Sequence, residues 1–161
     1  MLNSWQPEHL TRSPTQGVEM GKSNPCRVLL VGNFLSRQRG TRFHCEDLAV
    51  RLAQAGCSVM TTSSRNSRIV RLLDSLYTAA AENRRYDIAI VDVYSGLGFW
   101  LAAAQIFTLH TLRKPVIAVL RGGGLPEFNK AHPSAVRIVL GLVQGIVTPS
   151  LYLKDVFSKL L

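Results

Sequence analysis

The amino-acid sequence predicts an α/β domain with one parallel sheet and helices on both of its faces. Short, continuous apolar runs recur along the 161 residues and are typical of strands buried on both sides. Segments with the helical period separate these runs, as in the crossovers that join parallel strands. Glycine-rich loops follow two of the runs, in the position where open sheets bind ligands.

The first predicted strand is the apolar run from Val28 to Gly32. A helix is predicted from Thr41 to Gly56, because its apolar residues fall on one stripe and its polar residues on the other. A second strand is predicted from Ser58 to Thr62. A second helix then runs to about Arg85, on an apolar stripe formed by Ile69, Leu72, Leu73, Leu76 and Ala80.

The run from Asp87 to Tyr94 gives the clearest strand signal. The nearly apolar segment from Leu97 to Leu109 is shorter than the roughly 20 residues that a membrane span needs, so we interpret it as part of a buried helix. The next strand starts after Pro115 and ends at Leu120, before a glycine triplet.

The last part of the chain predicts a helix from about Ser134 to Leu142, a strand from Gly145 to Thr148, and a helix opened by Pro149 and Ser150. The alternation predicts a single Rossmann-like parallel sheet over residues 26–161, with right-handed crossovers. Residues 1–25 lack the pattern of a secretory signal and are predicted to be a disordered tail. The chain ends at Leu161 without a cap, which predicts a truncated form of a longer protein.

The formal net charge is +9, from 19 basic and 10 acidic residues. This excess predicts acidic partners, either phosphorylated ligands or an anionic membrane face, whereas the absence of a Lys/Arg run disfavours nucleic acid. Five arginines flank the second helix: Arg65, Arg68, Arg71, Arg84 and Arg85. This helix either lies weakly on anionic lipid or, in the favoured interpretation, covers the sheet and exposes a basic face.

The number and spacing of the cysteines and histidines argue against a disulfide framework and against a metal site. Cys26, Cys45 and Cys57 are odd in number and widely spaced, which favours a reducing compartment over a disulfide framework. The sequence therefore predicts a cytoplasmic protein, with a place at the inner face of the membrane left open. None of the cysteines is a convincing nucleophile, and neither they nor the four histidines have metal-ligand spacing. No metal and no cofactor are predicted.

The first candidate site is the loop Gly32-Asn-Phe-Leu-Ser-Arg-Gln-Arg-Gly-Thr41. Free backbone N–H groups at Gly40 and Thr41, at the start of a helix, favour a phosphate or carboxylate, and Asn33 belongs to the same loop. The alternative is an ordinary capped helix start on a basic loop. The loop has neither the dinucleotide nor the ATP-binding glycine motif.

The second candidate site is the segment Leu120-Arg-Gly-Gly-Gly-Leu-Pro-Glu-Phe128. Arg121 is suited to binding an anion in a bidentate manner, and Gly122 and Gly123 let the backbone approach a ligand. Glu127 either accepts hydrogen bonds from sugar hydroxyls or pairs with Arg121. The alternative is a flexible loop that carries a surface ion pair.

Asp92, close to Tyr94, lies at the end of the third predicted strand. The carboxylate either binds a ligand hydroxyl, accepts a phosphoryl group, or caps the following helix, and the last of these is the most common role for such an aspartate. Ser150, at the end of the last predicted strand, is a further candidate.

Four segments occur in an order and spacing that carry a family resemblance. They are Val28-Leu-Leu-Val-Gly-Asn33 with Gly40 and the helix end Leu52-Ala-Gln-Ala-Gly-Cys-Ser-Val59; Tyr86-Asp-Ile-Ala-Ile-Val91; Lys114-Pro-Val-Ile-Ala-Val-Leu-Arg-Gly-Gly123; and Gly145-Ile-Val-Thr-Pro-Ser-Leu-Tyr-Leu153. Over residues 26–161 the chain resembles the N-terminal, acceptor-side half of two-domain (B-type) glycosyltransferases of the retaining group 1, or family-four, class.

The resemblance implies transfer of a sugar from a nucleotide diphosphate sugar to a sugar or lipid-linked acceptor, without a dedicated metal. Gly40 and Thr41 would lie near the donor phosphates, and Arg121, Gly122 and Gly123 would border the reaction centre. The family often has a histidine where this chain has Arg121, which stays protonated and cannot act as a base. The donor-binding half is absent, so the resemblance implies a chain that is inactive alone and needs a C-terminal domain, in cis or as a separate chain.

A function of a different class is a non-catalytic flavodoxin-like or receiver-type binding domain, with Asp92 phosphorylated and Lys114 near the last strand. Receivers hold magnesium with an acidic pair after the first strand, where this chain has Gly32 and Asn33. A third alternative is a non-catalytic remnant that binds a partner.

Overall fold

The computed structural model describes residues 26–32, 44–62 and 68–158. The strands are β1 (Arg27–Val31), β2 (Ser58–Thr61), β3 (Ile88–Val93), β4 (Val116–Leu120) and β5 (Gly145–Val147). The helices are α1 (His44–Gln54), α2 (Arg68–Ala81), α3 (Leu97–Thr111), α4 (Leu125–Ala131), α5 (Pro133–Gly141) and α6 (Leu151–Ser158). The predicted disordered tail, the chain end at Leu161 and most of the first candidate loop lie outside the described residues.

The five strands form one all-parallel sheet in the order β2-β1-β3-β4-β5. Helices flank the sheet on both faces, so the predicted fold class is confirmed. The strand order is that of the flavodoxin-like, doubly wound sheets. In this order the chain moves outward from β1 to β2 and then crosses to the other side of β1, so the topological switch point lies between β1 and β3.

The side chains of each strand alternate between two cores, as the two-residue period of a strand requires. On one face, Val28 and Leu30 of β1 pack with Cys45 of α1. On the other face, Leu29 and Val31 belong to the larger core, which receives buried residues from the five later helices. Strands buried on both sides explain why the sequence shows continuous apolar runs instead of alternation.

Helix α2 differs from its predicted orientation. Leu72 and Leu76 of the predicted apolar stripe are half-buried, but Ile69, Leu73 and Ala80 are exposed. Arg71, predicted to lie on a solvated basic face, is half-buried. Of the flanking arginines whose side chains the structure describes, Arg84 and Arg85 are exposed as predicted and Arg71 is not, while small and polar residues such as Ser75 and Ala79 fill the buried side of α2.

Two other helices also depart from expectation. Helix α4 was not predicted, since Pro126 and the preceding glycines favour a loop; the proline occupies the first turn, where its missing N–H costs nothing. Helix α3 is buried on one side only, with Leu97, Trp100 and Phe107 exposed. Among the described residues, no helix combines the length and the apolar composition needed to cross a membrane.

Candidate ligand-binding site at the carboxyl edge

Three residues from adjacent strands meet at the carboxyl edge of the sheet, on the face covered by α1. Gly32 directly follows β1, Asp92 lies near the end of β3, and Arg121 directly follows β4. The strand register places Val31 beside Val91 and Asp92 beside Val119, so Gly32 is level with Asp92 and Arg121 lies two residues beyond it along the strand direction. This position is the switch point between β1 and β3, where open α/β sheets bind their ligands.

Asp92 and Arg121 form an ion pair that is largely shielded from water. The Arg121 Nε–H donates to Asp92 Oδ1 over 2.7 Å, and the two side chains are 12% and 3% exposed, respectively. The Arg121 backbone N–H also donates to the Val93 carbonyl over 2.9 Å. The backbone bond and the ion pair together hold the guanidinium at the end of β3.

Gly32 makes room for the carboxylate of Asp92. A Cβ atom at position 32 would lie 2.9 Å from Asp92 Oδ2 and 3.2 Å from the Cβ of Cys45. Real Cβ atoms essentially never approach an oxygen this closely, so a larger residue would displace the carboxylate or α1. Gly32 is needed here for close packing at the site.

Cys45, in the first turn of α1, closes the inner side of this site. Cys45 as a whole is 2% exposed. Burial, followed by the negative charge of Asp92, raises the pKa of Cys45 from about 9.0 to about 11. Because only the thiolate is a strong nucleophile, this environment keeps Cys45 in its less reactive thiol form at neutral pH.

The glycine triplet packs against the loop that follows β3. Gly122 has a positive φ of 93°, and a Cβ there would lie 4.0 Å from Cδ1 of Tyr94. A Cβ at Gly124 would lie 2.9 Å from the Ser95 hydroxyl oxygen, whereas a Cβ at Gly123 would meet nothing within 4 Å. Gly122 and Gly124 therefore shape the contact between the two loops, and Gly123 faces open space.

Tyr94 lies within this contact and is half-buried. Burial, and then the neighbouring charge of Asp92, raise the pKa of the Tyr94 hydroxyl, while Arg121 opposes the shift. The phenol is therefore neutral at neutral pH. As a neutral group, it can donate a hydrogen bond to a ligand or accept one.

The other predicted site residues are distributed as follows. Glu127 is exposed on α4, and Arg121 pairs with Asp92 and not with Glu127. Ser150 precedes α6, and its hydroxyl accepts the N–H of Leu153 over 3.5 Å, as a helix cap does. Asn33, Gly40 and Thr41 lie outside the described residues.

Two alternatives that the sequence left open for the carboxyl edge are wrong. Asp92 does not cap α3, since the residue before that helix is Gly96 and no side chain caps it. The glycine triplet does not carry a surface ion pair, since the partner of Arg121 is nearly buried. The sequence supplied both charged residues, but nothing in it indicated that they pair across two strands.

The arrangement is chemically suited to holding an anion. Asp92 accepts a hydrogen bond from the Nε–H of Arg121. Within the described part of the chain, the Arg121 side chain makes no further hydrogen bond. A guanidinium held in this way can present its terminal N–H groups to a carboxylate or phosphate. Within residues 26–32, 44–62 and 68–158, no three His, Cys, Asp or Glu side chains are grouped as a metal site requires.

Comparison with known proteins bears on the fold. No family model matches the chain, and neither does any curated protein. A similar solved structure is the signal receiver domain of a modulated diguanylate cyclase from Desulfovibrio desulfuricans G20, described as an example of alternate folding. It shares 15% sequence identity over 84% of this chain and 93% of that chain, with a TM-score of 0.51.

At this identity the similarity establishes a shared flavodoxin-like fold. The glycosyltransferase resemblance rests on the sequence segments alone.

Proposed function

We propose that this chain is a binding domain, non-catalytic by itself, which takes an anionic ligand at the carboxyl edge of its sheet. The observation that carries the proposal is the nearly buried Asp92–Arg121 pair at the switch point. Burying two charges costs free energy that an ion pair seldom recovers in full. A site that orients a guanidinium toward a ligand accounts for the placement of this pair.

The same pair separates the proposed domain from a phosphorylated receiver. A phosphoacceptor aspartate has to reach its phosphoryl donor, whereas Asp92 is 3% exposed and its Oδ1 is engaged by Arg121. The residues after β1, Gly32 and Asn33, supply no carboxylate for magnesium. Within the receiver-type alternative, we therefore propose a domain that keeps the fold without phosphorylation of Asp92.

The more specific proposal is the acceptor-side half of a nucleotide-sugar glycosyltransferase. The four sequence segments support it. The position of the glycine triplet directly after Arg121, where Gly123 faces open space, supports it as well. In this proposal the nucleotide diphosphate sugar is held mainly by another domain, in cis or on a separate chain. This chain would bind an anionic sugar or a lipid-linked acceptor.

Ligand binding is tested by isothermal titration of the full chain with hexose monophosphates, with UDP-hexoses and with inorganic phosphate. We expect a hexose monophosphate to bind and Arg121→Ala to weaken it at least tenfold, as loss of a charge-assisted bidentate contact predicts. Arg137→Ala removes an exposed arginine on α5 and is the matched control. Equal affinities of the two variants would contradict the anion-binding role.

Incubation with acetyl phosphate and magnesium tests the receiver-type alternative. We expect intact-mass spectra to show no added phosphoryl group. A phosphorylated protein whose label is lost in Asp92→Asn would show that the domain is an active receiver and would overturn our proposal.

In the titration experiment, binding of inorganic phosphate with the same affinity as the sugar phosphates would support the anion site but remove the support for a sugar acceptor.

A further inference from the structure

From Ile69 to Ala81, the outward face of α2 is apolar. Ile69, Leu73 and Tyr77 are 69%, 61% and 73% exposed, and they follow one another at intervals of four residues. Val70 and the small residues Ala80 and Ala81 complete the exposed side. Residues three and four apart lie on one face of a helix, so these side chains form one stripe, which we call the α2 apolar face.

The rotation of α2 about its axis is set by polar contacts on its opposite side. The Gln105 side-chain amide of α3 donates to the Ser75 hydroxyl over 3.0 Å. The hydroxyl of Tyr86, which is fully buried, donates to the Ala79 carbonyl over 2.8 Å. Turning the apolar face inward would break both contacts and leave buried polar groups unsatisfied, which is costly. The exposure of the α2 apolar face is therefore built into the fold.

The neighbouring helix brings no charged side chain next to α2. Helix α3 packs against α2 and contains no Lys, Arg, Asp or Glu between Leu97 and Thr111. Its exposed residues include Trp100 and Phe107. The Trp100 ring lies against Phe128 and His132, with centroids 6.3 and 6.0 Å apart, whereas the Tyr77 ring of the α2 apolar face has the apolar body and polar tip that suit the boundary between lipid and water.

Basic residues stand at the ends of both helices. Arg84 and Arg85 follow α2, and Arg113 follows α3; all three are exposed. Arg85 pairs with Glu82 over 3.1 Å, whereas Arg84 and Arg113 have no ion-pair partner among the described residues. These arginines are placed to meet anionic groups beside the apolar face.

The net charge distinguishes between two occupants of the α2 apolar face, a second copy of the chain and a lipid surface. A second copy of a chain with a charge of +9 is repelled at long range, while a surface of anionic lipid attracts it. An apolar helix face that carries basic residues at its border is also the pattern of helices that lie in a membrane interface. We propose that the α2 apolar face lies on an anionic lipid bilayer, with Arg84 and Arg113 near the lipid phosphates.

The proposal is independent of the ligand at the carboxyl edge. The test is cosedimentation of the full chain with vesicles of phosphatidylcholine containing phosphatidylglycerol, and with vesicles of phosphatidylcholine alone. We expect binding to the mixed vesicles at low salt, weaker binding at high salt, and little binding to the neutral vesicles, because the basic residues contribute through screened charge interactions.

The variant Ile69→Ser/Leu73→Ser removes apolar surface from the proposed contact. Its matched control, Ile138→Ser/Leu151→Ser, removes the same side-chain types from exposed positions on α5 and α6. We expect the first variant to lose vesicle affinity by about tenfold or more, and the control to retain it. Because all four side chains are exposed, circular dichroism should show folded protein in both cases.

Three results would overturn the proposal. The first is a wild-type chain that does not bind mixed vesicles at low salt. The second is an equal loss of binding in the α2 variant and its control. The third is a wild-type dimer in light scattering that Ile69→Ser/Leu73→Ser converts to a monomer while vesicle binding is absent, since this would assign the face to a second copy of the chain.

Discussion

Arg121 donates its Nε–H to the carboxylate of Asp92 over 2.7 Å, from the end of one strand to the end of its neighbour. The exposed ion pair between Arg27 and Asp87, with side chains 43% and 57% exposed, provides an internal comparison. Both pairs are short, but they differ in how far water screens them. The same kind of substitution should therefore have different consequences at the two positions.

We expect Arg121→Ala to reduce the free energy of unfolding by about 3 kcal/mol, because it leaves the buried Asp92 carboxylate uncompensated. Arg27→Ala should cost much less, since water solvates Asp87. Urea denaturation of both variants measures the difference. In the double variant Arg121→Ala/Asp92→Ala the loss should be smaller than the sum of the single losses, and strict additivity would count against the pairing.

Gly32 provides a second prediction, on packing. We expect Gly32→Ala to destabilise the protein by about 1–3 kcal/mol, because the new methyl group meets the Asp92 carboxylate and Cys45. Gly141→Ala is the matched control, since a Cβ there meets nothing within 4 Å and the residue lies at the end of α5. If thermal denaturation gives equal changes for the two variants, the carboxylate is not packed against Gly32.

The contact between the two loops can be tested at Gly124. We expect Gly124→Ala to destabilise the protein, because its Cβ would lie 2.9 Å from the Ser95 hydroxyl oxygen. Adding Ser95→Gly should restore most of the loss, and Gly123→Ala should change stability little. Urea denaturation of the four proteins makes the comparison. Failure of Ser95→Gly to rescue Gly124→Ala would show that the two loops do not touch as described.

The raised pKa of Cys45 predicts a loss of stability at high pH. The unfolded thiol ionises near pH 9.0 and the folded thiol near 11, so between these values the unfolded state binds fewer protons than the folded state. The free energy of unfolding should fall as the pH rises through this window. Burial also raises the pKa values of Tyr86 and Tyr94, so the measurement is the difference between wild type and Cys45→Ala in urea denaturation at several pH values. A difference that stays constant from pH 8 to 11 would contradict the shift.

Most of the strands and helices could be predicted from the sequence, because their signals are local. Leu29 and Ala89 stand in continuous apolar runs, and the strands around them are buried on both faces. The apolar stripe of α1 also begins at Cys45, as predicted. Helix α4 was not predicted because glycines followed by a proline favour a loop, whereas packing of Leu125 and Phe128 on the core stabilises a helix there.

The orientation of α2 could not be predicted from periodicity. Its sequence offers two apolar stripes, one through Leu72 and Leu76 and another through Ile69 and Leu73. Hydrophobicity alone does not choose between them. The hydrogen bonds of Ser75 and Ala79 with groups outside the helix make that choice, and they connect residues that are separated in the chain.

By itself, the sequence determined the α/β class and the succession of parallel strands, because periodicity is a local property. It also supplied the arginine and the glycines, Arg121 to Gly123, from which an anion site was predicted, because the chemistry of a residue is local too. Only the tertiary structure decided that Arg121 pairs with Asp92, that Gly32 leaves space for that carboxylate, and that α2 turns an apolar face outward. These relationships depend on strand register and on contacts between elements, which join residues that are distant in the chain, such as Asp92 and Arg121, 29 positions apart.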